Sequence, residues 1–194
     1  MTEKTKKMSL TSTQVEEELK REIYKLKYKS VLKSTIYSLI TIAAVAVLIA
    51  TLVMPVLEIS NSSMKPNFSD GEIVVSIKTK NLNTGDVIAF YHGNKILVKR
   101  VIAGAGSWVA IDIDGNVYVN GNLLEESYLV EKTFGESDIE YPYQVPDGSY
   151  FVLGDEREVS FDSRISEIGC VSKDDIIGKI VLRVWPLGKF GFVN

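Results

Sequence analysis

Two residues 36 positions apart are the candidates for chemistry in this 194-residue chain: Ser63, in the run Ser62-Ser63-Met64-Lys65-Pro66, and Lys99, in Leu97-Val98-Lys99-Arg100-Val101. A serine hydroxyl is a weak nucleophile until a base lies within hydrogen-bond reach. The one histidine, His92, falls in Phe90-Tyr91-His92-Gly93-Asn94, which reads as an exposed hairpin tip, so a Ser-His-Asp triad has no well-placed base. A lysine substitutes if its amine is neutral. In an extended strand, residues two apart share a face, so Lys99 lies with Leu97 and Val101 while Arg100 faces the other way. Aliphatic neighbours strip hydration from an ammonium and favour the free amine. Moving a lysine from ~10.4 to about 8 costs roughly 3 kcal/mol, which the fold must supply. The competing reading of a Lys-Arg pair in a strand is an exposed sheet edge. A third segment, Gly154 to Arg164, gathers Asp155, Arg157, Asp162 and Arg164 with Ser160 and Ser163 behind a strand. Alone, it reads equally well as a polar turn with surface ion pairs.

The elements that must position these residues fall into three parts. Residues 34–57 contain no charged side chain, and about 20 helical residues at ~1.5 Å each cross the ~30 Å hydrocarbon layer. A cleaved secretory signal is the alternative, but its apolar region is shorter, roughly 7–15 residues behind a short basic start. The sequence therefore predicts a retained single span. Lys20, Arg21, Lys25, Lys27, Lys29 and Lys33 precede it, whereas Glu58 and Asp70 follow. The positive-inside bias places the N-terminus in the cytoplasm and residues 58–194 outside, at the plasma membrane. Pro55 is expected near the outer end of the helix. Residues 1–33 form the cytoplasmic part. Thr13 to Glu16 has capping-box spacing, and Val15, Leu19, Ile23 and Leu26 recur at helical intervals with Glu16–Lys20 and Glu17–Arg21 as i,i+4 pairs. This is either a short amphipathic helix on the inner leaflet or a solvated helix without a role. Residues 1–12 read as disordered.

From residue 58 onward the pattern is β. Short runs rich in β-branched and aromatic residues span 72–77, 86–91, 95–102, 108–113, 116–119, 150–153 and 176–185, separated by turn chemistry such as Asn83-Thr84-Gly85-Asp86 and Pro146-Asp147-Gly148. The expected fold is mainly β, a curled antiparallel or barrel-like body behind one N-terminal transmembrane helix. Residues 125–145 read as a longer connection or flap. Met64 and Phe68 are either an apolar surface that rests on the lipid interface or part of the core.

Composition narrows the function. Eight Lys and one Arg against five Glu give residues 1–33 a net charge of +4, which leaves −7 for the rest of a chain whose total is −3. An acidic body argues against nucleic-acid binding. The single Cys170 excludes an intrachain disulfide and a Cys-rich zinc site, and reads as a small buried apolar side chain.

Taken together and in order, these segments resemble the type I signal peptidases, membrane-anchored serine proteases that remove signal peptides from exported proteins. Ser63-Met64-Lys65-Pro66 is similar to the family's nucleophile box, Gly85-Asp86-Val87 to its Gly-Asp box and Lys99-Arg100-Val101-Ile102 to its general-base strand. Val119-Asn120-Gly121 resembles the turn that follows, the Gly154–Arg164 segment the last box, and Trp185-Pro186 the closing strand. The resemblance implies that Ser63 attacks the scissile carbonyl, that neutral Lys99 takes its proton, and that Ser160 orients the amine. It implies an oxyanion site made by the Ser63 backbone N–H and the Asn61 amide, with Ser62 as an alternative to Asn61. Asp162 and Arg164 would hold the box by an ion pair, with Asp155 and Arg157 as further support. The implied partners are preproteins with signal peptides and the membrane lipid, for a monomer with no cofactor or metal. Substrate would add as an extended strand, with Ala-like side chains at the first and third positions before the cut.

Several positions depart from that pattern: Glu156 where asparagine is usual, Ala103 and Ala105 where Gly and Pro are frequent, Ser107 for Asp, and Asn67 for Thr. The departures touch loop geometry and substrate preference. Two alternatives remain: a soluble self-cleaving Ser-Lys protease, which the span disfavours, and a catalytically silent membrane-anchored binding protein of the same fold.

Overall fold

In a computed structural model the described residues are 12–79 and 81–193, so the expectation of disorder for residues 1–12 lies almost wholly outside them. Residues up to Ala50 and those from Thr51 onward form two separate compact units.

The first unit is helical. One helix, α1 (Ser12–Val53), runs without interruption through the basic segment and the apolar one, so the expected break between an amphipathic helix and a span is not there. At ~1.5 Å per residue it is a rod of roughly 63 Å, about twice the hydrocarbon thickness. Thr35 and Thr41 donate their hydroxyls to the Val31 and Tyr37 carbonyls at 3.0 and 2.9 Å, which satisfies both without water. The ion pairs described on its charged half are i,i+3 rather than i,i+4: Glu18–Arg21 at 3.9 Å and Glu22–Lys25 at 2.7 Å. The helix stops at Val53, short of the expected Leu57. Pro55 has no N–H to donate, and its ring disfavours the helical conformation at Met54. Val56 and Leu57 belong to the first strand instead.

The second unit is β throughout. Its main sheet contains β1 (Val56–Glu58), β2 (Ile73–Ile77), β3 (Val87–His92), β4 (Lys95–Gly104), β9 (Ser149–Leu153), β10 (Val171–Ser172), β11 (Ile176–Trp185) and β12 (Gly191–Phe192). The strand order is β1-β2-β11-β3-β4-β9-β10, with β12 paired to β11 and every pairing antiparallel. A second sheet, β7-β6-β5-β8, is built from β5 (Trp108–Ile111), β6 (Val117–Val119), β7 (Asn122–Leu123) and β8 (Tyr143–Gln144). The seven runs read from the sequence are β2, β3, β4, β5, β6, β9 and β11. The strands missed are three residues long or shorter.

Strand alternation places one core on each side of the curled sheet. Val74, Val87, Ala89, Val98 and Ile180 from four strands meet Ile59, Met64 and Phe68 on one side. Ile88, Phe90, Val101, Tyr150, Val152 and Val171 meet on the other. Met64 and Phe68 are 0% and 1% exposed, which overturns the reading that they rest on the lipid surface: they are core. A third cluster joins Phe151 and Leu153 to Val109, Ile111 and Val117 of the small sheet, with Cys170 partly buried against it.

The 125–145 connection is tied down rather than free, since its end forms β8 and Phe134, Ile139 and Tyr141 pack on the third cluster. In β11 the register shifts between Ile176 and Gly178, where a Cβ on Gly178 would meet the Ile77 carbonyl oxygen at 2.5 Å. Gly178→Ala is expected to cost on the order of 2 kcal/mol. Thermal unfolding followed by circular dichroism should show this as a Tm lower by roughly 4–8 °C.

Candidate active site

Three segments far apart in sequence converge because sheet pairing brings them together. Ser63 follows β1 in a compact turn in which Lys65 N–H donates to the Ser62 carbonyl at 3.0 Å and Phe68 N–H to that of Met64 at 2.8 Å. Lys99 lies mid-way along β4, opposite Ile88 of β3. Ser160 sits in the turn region after β9, which pairs with β4 from Arg100 onward.

The Lys99 amine donates to Ser63 Oγ at 2.7 Å and to Ser160 Oγ at 3.0 Å. Lys99 is 2% exposed and the two serines 6% each. Burial pushes the Lys99 amine down to about 8; the Asp162 carboxylate opposes that shift, Arg164 adds to it, and Asp155 opposes it. Desolvation is the dominant cause, as expected of a lysine whose strand face is aliphatic.

The Asn61 side chain reaches Ser63, but with its carbonyl end. Asn61 Oδ1 accepts from Ser63 Oγ at 2.7 Å and from the Ser63 backbone N–H at 3.2 Å. A half-turn of the amide about Cβ–Cγ exchanges Oδ1 for the NH2 group. Two donors, Nδ2 and the Ser63 N–H, would then face the same place.

The segment after β9 wraps the dyad. The Glu156 backbone N–H donates to the Ser63 carbonyl at 3.0 Å, a contact that any residue there supplies, so the departure at Glu156 leaves it intact. A side chain at Gly154 would collide with Ser160 and come within 2.6 Å of the Ser63 carbonyl oxygen, so the turn requires glycine. Asp162 pairs with Arg164 at 2.8 Å, and its Oδ2 accepts the Gly154 N–H at 2.9 Å. Arg164 spends its other donors on the carbonyls of Phe134, Arg157 and Ser160.

Asp155 and Arg157 are both in the site, but not with each other. Asp155 takes a two-pronged ion pair from Arg100, at 2.8 and 2.7 Å, and the Asn67 amide at 2.8 Å. Arg157 pairs with Glu126 and donates to the Gly154 carbonyl at 2.9 Å. Tyr128 donates to Glu126 at 2.7 Å, and its ring lies 4.0 Å from the Arg100 guanidinium carbon. Burial, with the Glu126 charge and hydrogen bond behind it, pushes the Tyr128 hydroxyl well up. Glu126 and Tyr128 were missed in the sequence because they fall in the stretch read as a connection. The available signal was charge balance: the Gly154–Arg164 segment and β4 place Arg100, Arg157 and Arg164 near one another, and a buried arginine needs a carboxylate.

His92 ends β3 at the hairpin tip, paired with Lys95, roughly 13 Å along β4 from Lys99 at ~3.3 Å per residue. Among the described residues, no cluster of three or more His, Cys, Asp or Glu is placed to hold a metal ion.

A groove of about 730 Å³ reaches Asn61, the Ser63 partner, with Val56, Leu57 and Glu58 of β1 and Lys95, Ile96 and Leu97 of β4 lining it. Among the described residues β1 pairs only with β2, while β4 pairs with β3 over 95–100 and with β9 only from Arg100. Both walls therefore present unpaired strand edges.

A serine hydroxyl bonded to a buried, partly neutralised amine, beside an open pair of strand edges, is an arrangement suited to acyl transfer from a peptide. Residues 32–185 match the family model described as signal peptidase, peptidase S26. Over 153 residues the chain is 39% identical to signal peptidase IB of Staphylococcus aureus (strain COL), covering 68% of this chain and 78% of that protein. It is 30% identical over 169 residues to the probable signal peptidase I-2 of Synechocystis sp., covering 81% and 75%. A crystal structure of a signal peptidase I from Enterococcus faecalis V583 is similar at 30% identity with a TM-score of 0.46, covering 53% of this chain and 98% of that one. The chain belongs to the signal peptidase family, peptidase S26, and is a serine endopeptidase of the signal peptidase I kind.

The buried amine has a consequence for stability. Because Lys99 titrates at about 8 in the fold, against 10.5 as a free side chain, its protonation opposes folding most strongly below pH 8. That penalty fades as pH rises from 8 to 10.5. Lys99→Met should therefore be the more stable protein at pH 7, by up to about 3 kcal/mol, and lose that advantage by pH 10.5. Denaturant unfolding at pH 6, 7, 9 and 10.5 measures the difference. A gap that does not change with pH would contradict the assignment.

Proposed function

We propose that this enzyme removes signal peptides from exported preproteins at the outer face of the plasma membrane, through a dyad of Ser63 and Lys99. The observation that carries this reading is the 2.7 Å contact between a 2%-exposed Lys99 amine and Ser63 Oγ. Neutral Lys99 takes the hydroxyl proton as Ser63 Oγ attacks the carbonyl carbon. The resulting oxyanion is met by the Ser63 N–H and by the Asn61 amide after its half-turn, each such donor being worth roughly 2.7–4 kcal/mol of barrier. Lys99 returns the proton to the leaving amine, which frees the mature chain and leaves an ester on Ser63. A water molecule activated by Lys99 then hydrolyses the ester. Ser160 holds the amine in line throughout, and the pairs Asp162–Arg164, Asp155–Arg100 and Glu126–Arg157 keep its surroundings fixed.

The substrate lies as a strand in the seam between β1 and β4, parallel to both, and presents small side chains at the first and third positions before the cut. α1 crosses the bilayer once with residues 1–33 on the cytoplasmic side, and the β body works outside as a monomer. Anchoring enzyme and substrate in one bilayer raises their effective concentration without any added contact.

Ser63→Ala and Lys99→Ala are each expected to lower kcat/KM on a preprotein by at least about 10³-fold with the fold retained. Ser160→Ala should lower kcat more than it raises KM. For the wild type, kcat/KM should rise about tenfold per pH unit up to about 8 and then level off. Near wild-type cleavage by Lys99→Ala would refute the base assignment.

A further inference from the structure

On the face of β4 away from Lys99, a cavity of about 280 Å³ is lined by three cations, Arg100, Arg183 and Lys189, and by no carboxylate. Asn67, Tyr128 and Gly191, with the apolar Phe68, Phe192 and Val193, complete its walls. Ser63, Lys99 and Ser160 take no part in it. Its volume lies just under the roughly 300–1,000 Å³ usual for small-molecule sites. A cationic cavity stands out in a chain whose part after residue 33 is acidic.

The charges around this cavity do not cancel. Asp155 takes both prongs of the Arg100 guanidinium, at 2.8 and 2.7 Å. Glu72 meets Arg183 at 2.9 Å, and the same carboxylate meets Lys189 at 3.0 Å. Three cations therefore share two carboxylates, and one positive charge is left over. Both acids are buried behind the cations, whereas the Lys189 side chain is 49% exposed. The two guanidinium groups are also backed by rings: the Arg100 carbon lies 4.0 Å from the Tyr128 centroid and that of Arg183 4.9 Å from Phe68. Stacking of this kind, with the ion pairs, holds each planar fork in one orientation. Among the described residues, Arg183 makes its ion pair through Nε and donates to the Asn67 carbonyl through Nη2, which leaves Nη1 for a guest. Lys189, with three N–H groups, likewise has donors beyond the one given to Glu72.

We propose that this cavity is a binding site for a phosphate group, either free in solution or borne on a lipid headgroup, held by Arg183 and Lys189 with Arg100 behind them. Planar guanidinium forks and a compact ammonium are the groups that recognise phosphate. A tetrahedral oxyanion also has an oxygen to turn toward each of three converging cations, which a carboxylate does not. The two sources differ in what else they touch. Phe192 lines the cavity and is 85% exposed, so an acyl chain attached to the phosphate has an apolar side chain to follow, and a free anion has no use for it. Arg100 belongs to β4, Arg183 to β11, and Lys189 to the turn between β11 and β12, so one bound phosphate ties three segments together and stabilises the β body by mass action. The site stands independently of the cleavage reaction.

The test uses the full-length protein in nonionic detergent micelles, with sodium phosphate replacing sodium chloride at constant ionic strength. Phosphate should raise Tm in a saturable way. The apparent Kd should rise at least about tenfold in Lys189→Gln and stay within about threefold of wild type in Lys189→Arg. The basic residues before the apolar segment are the same in all three proteins, so binding there cannot produce the difference. The lipid arm adds dioleoylphosphatidylglycerol to the micelles and counts retained lipid by native mass spectrometry. A headgroup source shows as retention that drops at least about tenfold in Lys189→Gln and also falls in Phe192→Ser. A free source shows as phosphate binding that Phe192→Ser leaves unchanged, with lipid retention the same in wild type and Lys189→Gln. Either result supports the site and names the source. A Tm rise that chloride reproduces, phosphate and lipid binding both unaltered in Lys189→Gln, or a loss in Lys189→Arg as large as that in Lys189→Gln would each overturn it.

Discussion

Keeping water away from one amine is the demand to which the β body answers. The proposed reaction needs Lys99 in contact with Ser63 and able to lose its proton close to neutral pH, and a lysine approaches that state only when its hydration is removed. Two carboxylates stand near enough to pull its proton affinity back up, Asp162 and Asp155. Each is bound by a guanidinium: Asp162 by Arg164 and Asp155 by Arg100. The pairs do more than brace a turn. Arg164 also acts on the amine itself, lowering its proton affinity against the pull of Asp162.

One strand shows the principle at close range. Lys99 and Arg100 are neighbours in β4, and alternation sends them to opposite faces. Lys99 meets two hydroxyls, which solvate an amine without giving it a countercharge. Arg100 meets a carboxylate, a carbonyl and the face of Tyr128. Adjacent basic residues thus meet opposite surroundings, a desolvated amine on one face and an ion-paired guanidinium on the other. Buried ion pairs of this kind add little net stability, because desolvating both ions roughly offsets their attraction. Three in one site make better sense as geometry: they fix where Gly154, Ser160 and the 126–135 stretch lie relative to Ser63.

The β class and seven of the strands were legible because each leaves a local mark, whereas the Ser63–Lys99 and Asp162–Arg164 pairings were legible through motifs in an order that resembles a known family. Strands show as alternating β-branched runs, and Asp162 is two residues from its partner. The partners of Asp155 and Arg157 were not legible. Arg100 is 55 residues from Asp155 and Glu126 is 31 from Arg157, and nothing in local periodicity reports a contact made through sheet pairing. Met64 and Phe68 show the same limit. An apolar residue beside a membrane segment suits lipid or core equally, and only the packing of β2, β3, β4 and β11 against them decides it. The end of α1 was misjudged for a related reason. Val56 and Leu57 are apolar enough for a span, yet β2 offers them backbone partners and Pro55 bars the helix from reaching them.

The unpaired edges of β1 and β4 have a consequence beyond the reaction. Free backbone amides and carbonyls attract any extended chain, so an open seam invites self-association between copies. The residues along it work against that outcome. Glu58 lies on one margin and Lys95 on the other, and Pro55 at the near end lacks an amide hydrogen to offer. Charge on both banks and an imino acid at the mouth discourage zippering of two folded bodies, while a thin, uncharged guest can still slip between them.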